Sequence, residues 1–270
     1  MIQTIQANLN RVRESKALIH HITNDVTVND CANATLQIGA LPVMAHALEE
    51  SAEMQLISDA LVLNIGTLTP DLVDAMIAAG QAANHAGHPV VFDPVGVGAT
   101  GLRTRSALRI LEQVRVDVIK GNQAEIAVLG GLNAVVRGVE SGAVDGNVLE
   151  AARALAGKHQ AVVAVTGPED LVVSAYRAAQ IRNGHSSMGS VCGTGCMGAS
   201  LIGAFTAGSA DWFEAAVSAL TCFGAAGERA AEALPDGPMA YKIALLDALY
   251  RLTGDDVAQL ARVEVMEWES

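Results

Sequence analysis

Residues Ala60–Val95 read ALVLNIGTLTPDLVDAMIAAGQAANHAGHPVVFDPV. Two short apolar runs rich in β-branched residues, ALVLNIG (60–66) and PVVFDPV (89–95), flank a longer stretch with the three-to-four-residue periodicity of a helix. Pro70 fits the first position of that helix, over Pro70–Ala86, with Thr69 as its cap. The stretch is therefore one strand–helix–strand unit, which predicts a parallel pair with a crossover helix.

The same alternation extends in both directions. ALIHHIT (17–23) and LPVMA (41–45) precede it, and VDVIKG (116–121) and AVVAVTG (161–167) follow. Helical periodicity fills Val28–Ile38, Arg103–Val114 and Val148–His159, whereas the polar segment Asn133–Gly146 reads as a surface loop. LVVSAY (171–176) and AQIRNG (179–184) lie too close together for a crossover and read as a hairpin. Thr194–Gly208, Trp212–Ala233, Met239–Arg251 and Asp255–Ala261 then form a helical cluster. The expectation is one α/β domain over residues 1–270, with a mostly parallel central sheet and helices on both faces.

Composition narrows the function. Of 270 residues, 51% are hydrophobic, 17% charged and only 3% aromatic, and the formal charge is −12. Lys and Arg form no runs, so neither nucleic acid nor an anionic membrane surface is an expected partner. An anionic ligand would have to be met locally, by backbone amides, a helix N-terminus or a metal ion. Cys31, Cys192, Cys196 and Cys222 include no C-x-x-C pair, which fits a reducing cytoplasm, and Cys31 and Cys222 read as buried fillers. The N-terminus lacks an apolar signal core, and no stretch is long and apolar enough for a membrane span.

In open parallel sheets, ligands bind at the carboxyl ends of the strands. Polar residues at those ends are Asn24 and Asp25, Asp93, Lys120 with Asn122 and Glu125, and Thr166. Asp93 and Glu125 are the carboxylates placed for Mg²⁺ and its waters, and each is equally open to a reading as a helix cap. Lys120 reads as a phosphate contact or a solvated lysine. In Cys192-Gly193-Thr194-Gly195-Cys196-Met197-Gly198-Ala199, a glycine turn feeds an apolar helix. Free N–H groups and the positive end of the dipole meet there, which favours a phosphate or a developing anion. Cys196 falls in the first turn, where the dipole lowers a thiol pKa and permits partial thiolate character near neutrality, so it reads as a base or as a small polar wall.

Two nucleotide motifs need weighing. Gly96-Val97-Gly98-Ala99-Thr100-Gly101 matches G-x-G-x-x-G, but it lies on the fourth strand, behind Asp93-Pro94, and lacks the acidic residue that completes a dinucleotide site. No G-x-x-x-x-G-K-[ST] loop occurs.

Taken in order, His21-Ile22-Thr23-Asn24, Asn29-Asp30-Cys31-Ala32-Asn33, Ala40-Leu41-Pro42-Val43-Met44-Ala45, Asn64-Ile65-Gly66-Thr67, Asp93 to Ala99, Gly121 to Ile126, Val165-Thr166-Gly167 and Gly193 to Cys196 resemble the hydroxyethylthiazole kinases of thiamine salvage. The resemblance implies a ribokinase-like fold and a homotrimer with active sites near subunit interfaces. It also implies transfer of the ATP γ-phosphate to the primary alcohol of the thiazole with Mg²⁺. By the same resemblance, Met44 and Gly193 contact the thiazole, with Asn24 and Gly66 on the same side. Lys120 and Thr166 contact ATP, and Asp93 and Glu125 organise magnesium, water and phosphate. Given such a reaction, the expectation is that the amides of Gly193, Thr194, Gly195 and Cys196 stabilise the transferring group while Cys196 orients the hydroxyl. Most ribokinase-like enzymes close the glycine turn with Asp instead. Lys120 stands where the family's nucleotide contact is expected to be arginine, keeping the charge but losing the bidentate fork. Two other readings stand beside the kinase: an ATP-dependent lyase that repairs hydrated nicotinamide nucleotides, and an inactive ligand-binding member of the fold.

Overall fold

The computed structural model describes residues 1–131, 134–137, 140–144, 148–233 and 236–268. A nine-stranded sheet runs in the order β2(Leu41–Val43), β1(Leu18–Ile22), β3(Ala60–Asn64), β4(Val90–Asp93), β5(Val118–Asn122), β8(Val162–Thr166), β9(Asp170–Val173), β10(Arg177–Ile181), β11(Val263–Glu267). The six strands from β2 to β8 pair in parallel, and β8 to β11 pair antiparallel. The six sequence-derived strands and the hairpin are all present. In the segment read as a loop, β6(Ala134–Arg137) and β7(Glu140–Val144) instead pair as a two-stranded antiparallel ribbon. Residue 133 and residues 138–139 and 145–146 of that expectation lie outside the described residues.

Helices cover both faces. α4(Pro70–Ala86), α5(Gly101–Gln113), α6(Gln123–Leu129) and α7(Val148–His159) pack on one, and α1(Ile2–Ser15), α2(Val28–Ile38), α8(Thr194–Thr206), α9(Trp212–Glu232), α10(Pro238–Arg251) and α11(Gly254–Leu260) on the other. α3(Leu48–Leu56) packs beside α4. Alternation along each strand divides the core. Val62, Val91, Val118 and Ala164 point into the layer with α8 and α9, and Leu61, Leu63, Phe92, Ile119 and Val163 into the layer with α4 and α5. Three expected helices keep their bounds, and Thr69 Oγ1 accepts from Leu72 N at 3.2 Å as a cap should. α5 starts two residues early because Thr100 Oγ1 caps it, accepting from Arg103 N. The four C-terminal helices shift by one or two residues at their ends.

α8 is buried along nearly its whole length and lies across β1, β3, β4 and β5. Gly203 makes this close approach feasible, since a Cβ there would overlap Val62 Cγ2 and come within 3.3 Å of Ile19 Cγ2. On β1, His21 is fully buried, with Nδ1 3.0 Å from Ile19 O and Nε2 3.3 Å from Thr35 Oγ1. Burial pulls its pKa down to about 4.

An unfolded His21 keeps a pKa of about 6.5 and takes up a proton that the folded chain refuses. The stability it contributes is complete above that value and is lost as pH falls toward about 4. We expect this one residue to cost about 2 kcal/mol of unfolding free energy between pH 7 and pH 5. Urea midpoints at the two pH values measure the loss, and His21→Gln should flatten the slope.

Candidate active site

Strand ends bring the polar residues together. Asn64 closes β3, Asp93 closes β4, and the two are paired across the sheet. Asn64 Nδ2 donates to Asp93 Oδ2 at 2.8 Å, and Asn24 Nδ2, just beyond β1, donates to Asn64 Oδ1 at 2.9 Å. Thr27 fixes the Asn24 amide, because both its N–H and its hydroxyl donate to Asn24 Oδ1 at 3.1 Å. Both asparagine Nδ2 atoms also reach Cys196 Sγ, at 3.4 and 3.3 Å. Lys120 Nζ lies 3.6 Å from Asp93 Oδ2. Asn24, Asn64, Asp93, Lys120 and Cys196 thus form one cluster, and all but Cys196 are buried.

The N-terminus of α8 descends onto this cluster. Gly193, its N-cap, has φ +95°, a conformation suited to glycine, and a Cβ there would be 2.7 Å from Thr27 Cγ2. A Cβ on Gly195 would be 3.2 Å from Lys120 Nζ, so the glycine turn and the buried lysine face each other. Amide groups, a dipole end and an ammonium converge, an arrangement suited to phosphate oxygens. Beside it opens a cleft of about 650 Å³, lined by Thr166, Asp170, Asn183, Thr194, Gly195 and Phe223 among others. Thr166 Oγ1 donates to Gly121 O at 3.4 Å.

Burial pushes the Asp93 carboxyl up to about 7, against the pull of Lys120 and with the push of Glu125. Burial opposes the charge on Lys120, but Asp93 and Glu125 outweigh it and hold Lys120 above its ordinary value. Asp170 is pushed up to about 6 by burial while accepting from Gly167 N. The partial thiolate character allowed for Cys196 is corrected. Burial first, and the Asp93 charge next, raise its pKa, so the thiol stays protonated at neutral pH and serves as acceptor for two amides.

Glu125 proves to be a helix cap. Its Oε2 accepts from Asn122 N and its Oε1 from Gly96 N, both at 2.8 Å, while Asn122 Oδ1 accepts from Glu125 N at 2.9 Å. Each oxygen keeps a second lone pair. Asp93 does not cap: its Oδ1 is buried with no hydrogen-bond partner among the described residues. Among the described residues no group of three or more His, Cys, Asp or Glu side chains is placed to hold a metal ion. Gly66 lies against Asn24, with a virtual Cβ 2.8 Å from Asn24 Cβ, and its N–H donates to Asn64 Oδ1. Met44 follows the edge strand β2, half-buried, and lines neither the cluster nor the cleft.

Sequence reading missed Asn64, Thr27 and Asp170. Asn64 carried a usable signal, a polar residue closing an apolar strand run. Thr27 and Asp170 look like ordinary turn residues until the fold places them.

The Hydroxyethylthiazole kinase family model matches residues 9–255. The chain belongs to this family. A hydroxyethylthiazole kinase of a Thermoanaerobacter species is 53% identical, with 94% of this chain and 97% of that protein covered. The enzyme of the same name from Methanocella arvoryzae is 52% identical, covering 97% and 98%. The solved hydroxyethylthiazole kinase of Pyrococcus horikoshii superposes with TM-score 0.88 at 41% identity, covering 98% of this chain and all of that one. A Staphylococcus aureus pyridoxal kinase shares the fold at TM-score 0.64 and 15% identity, over 93% of this chain and 99% of that one. A ribokinase-like superfamily protein from Enterococcus faecalis also superposes at TM-score 0.64, with 14% identity over 90% and 89%. The ribokinase-like fold class holds. Every family residue set out from the sequence, apart from Met44, falls on this one rim or on the cleft beside it.

Thiol chemistry checks the electrostatics. Cys192 is exposed, Cys196 partly so, and Cys31 and Cys222 are buried. With an aromatic disulfide reagent at neutral pH we expect one fast thiol, abolished by Cys192→Ser. A second should appear only in alkaline solution, above the ordinary thiol range, as Cys196 ionises. Two fast thiols at neutrality would contradict the raised Cys196 pKa.

Proposed function

We propose that this chain is a kinase that transfers the γ-phosphoryl group of ATP to the primary alcohol of hydroxyethylthiazole, with Mg²⁺. The observation that carries the reading is the family match across nearly the whole chain. The rim geometry agrees with it. In this reading the cleft beside Thr166 takes ATP, and Lys120 with the Gly193–Cys196 amides holds the oxygens of the group in transit. Asn24, Gly66, Met44 and Gly193 lie on the thiazole side. Phosphoryl transfer passes through a loose transition state in which positioning and charge stabilisation dominate. A protonated Cys196 that orients the hydroxyl is therefore compatible with turnover. Asp93 Oδ1, unpartnered among the described residues, and the spare lone pairs of Glu125 suit a Mg²⁺ held directly or through water, with substrate phosphates completing its shell. When bound, that ion neutralises phosphate charge. The family match favours the kinase over the nicotinamide repair lyase, and the intact cluster argues against an inactive binding protein.

A homotrimer and a cytoplasmic location belong to the same reading, with residues 1–270 acting as one domain. Support for assembly comes from the β2 edge, where large apolar residues of and around α2 and α3 are exposed, Ile57 at 69% and Val26 at 67%. Half-buried Met44 lies at that edge, which suits a thiazole site completed by a neighbouring subunit. Free cysteines fit a reducing compartment. Among the described residues no helix is long and apolar enough to cross a membrane.

An assay of ADP release with MgATP and the thiazole alcohol tests the function. Controls are the pyrimidine alcohol of thiamine, a hydrated nicotinamide nucleotide and a no-acceptor blank. Thiazole-dependent ADP release is the expected result, and release with the hydrated nucleotide alone would support the lyase. Cys196→Ala should lower kcat on the order of 10²-fold, and full turnover would remove Cys196 from the mechanism. Sedimentation should return three copies of the 27.9 kDa chain, and Ile57→Glu should shift the protein toward monomer.

A further inference from the structure

We propose that Arg103 is a positioning residue that locks the two rim loops after β3 and β4 into one register, and that the glycines at 96 and 98 exist to seat it. Its guanidinium Nη1 donates to Ile65 O at 2.9 Å and to Val95 O at 2.7 Å, while Nη2 donates to Gly66 O at 2.7 Å. Two of these carbonyls belong to peptide units gripped from the other side as well. The N–H of the Ile65–Gly66 unit donates to Asn64 Oδ1 at 2.9 Å, and that of the Val95–Gly96 unit donates to Glu125 Oε1 at 2.8 Å. Each plane is pinned at both ends, with Arg103 common to the two. A peptide flip in either loop would break the bond to Arg103 and the bond to Asn64 or Glu125 together.

Local sequence explains how an arginine reaches this point. Gly96 has φ +73° and Gly98 φ +90°, so the chain doubles back before α5. A Cβ on Gly96 would lie 3.1 Å from Arg103 Cδ, in the path of the side chain. Gly98 N donates to Thr104 Oγ1 at 3.1 Å and Thr100 caps Arg103 N, which fixes the first turn of α5 under the loops. The G-x-G-x-x-G string thus serves this clamp. The geometry stands by itself, and its kinetic consequence rests on the kinase reading.

Hydrogen exchange and kinetics on the full-length chain test it together. In Arg103→Ala we expect amides of residues 64–67 and 95–98 to exchange at least about tenfold faster, with β5 unchanged. We expect kcat to fall on the order of 10²-fold and KM for the thiazole alcohol to rise. KM for ATP should stay within about twofold, because Arg103 lines no part of the ATP cleft. Added guanidinium ion should restore part of the rate. Unchanged exchange in both loops would overturn the inference, as would normal kcat and KM values in a chain whose wild type is active. A wild type that releases no ADP would sink the kinase reading alone, and the exchange result would still decide the clamp. Should Arg103→Ala fail to fold, Arg103→Lys, which keeps the charge without the fork, and Gly96→Ala, which crowds the side chain, are judged by the same two readouts.

Discussion

Asp93 is the constraint around which the rest is arranged. A carboxyl buried at the end of a central strand is costly unless its oxygens are met, and here Asn64 and Lys120 meet one oxygen while the other has no partner among the described residues. Asn64 is turned to serve because Asn24 Nδ2 and Gly66 N–H both donate to its oxygen, and Asn24 is held by Thr27. Against the pull of burial, Asp93 and Glu125 in turn help to hold Lys120 above its ordinary value. Covering this edge with α8 excludes water, which strengthens each of these interactions.

The βαβ frame was readable because a parallel sheet covered on both faces writes itself as apolar runs of strand length between helical periods. Thr69 and Pro70 even announced the start of a helix. Elements stabilised by distant partners were harder to see. β11 reads Val-Glu-Val-Met-Glu, is largely exposed at a sheet edge, and forms because β10 offers its free side. α1 is polar over much of its surface and owes its place to Ile5, Leu9 and Val12, which are buried. The glycine turn and the strand-end acids were found from chemistry and position, yet the pKa shift of Cys196 came out with the wrong sign. A helix dipole acts on any residue in the first turn, but the dry surroundings and the Asp93 carboxylate that outweigh it belong to the tertiary structure.

Glu125 shows that a helix cap stays compatible with the metal role proposed for it. By accepting from Asn122 N and Gly96 N it starts α6 and draws the loop after β4 against β5. A free surface carboxylate would sample many rotamers. This one is set in place when the helix forms, so positioning a ligand costs no further side-chain entropy.

The contact of Gly203 with Val62 has a mechanical meaning. Asn64 stands two residues beyond Val62 on β3, and Cys196 stands two helical turns before Gly203 on α8. Strand and helix meet at the base through the Val62 side chain alone, seated directly on the Gly203 backbone, so they behave as the two arms of a closed pair of tweezers. Thermal displacement of one arm carries the other with it, and the gap between amide and thiol at the tips is kept narrow by a joint buried in the core.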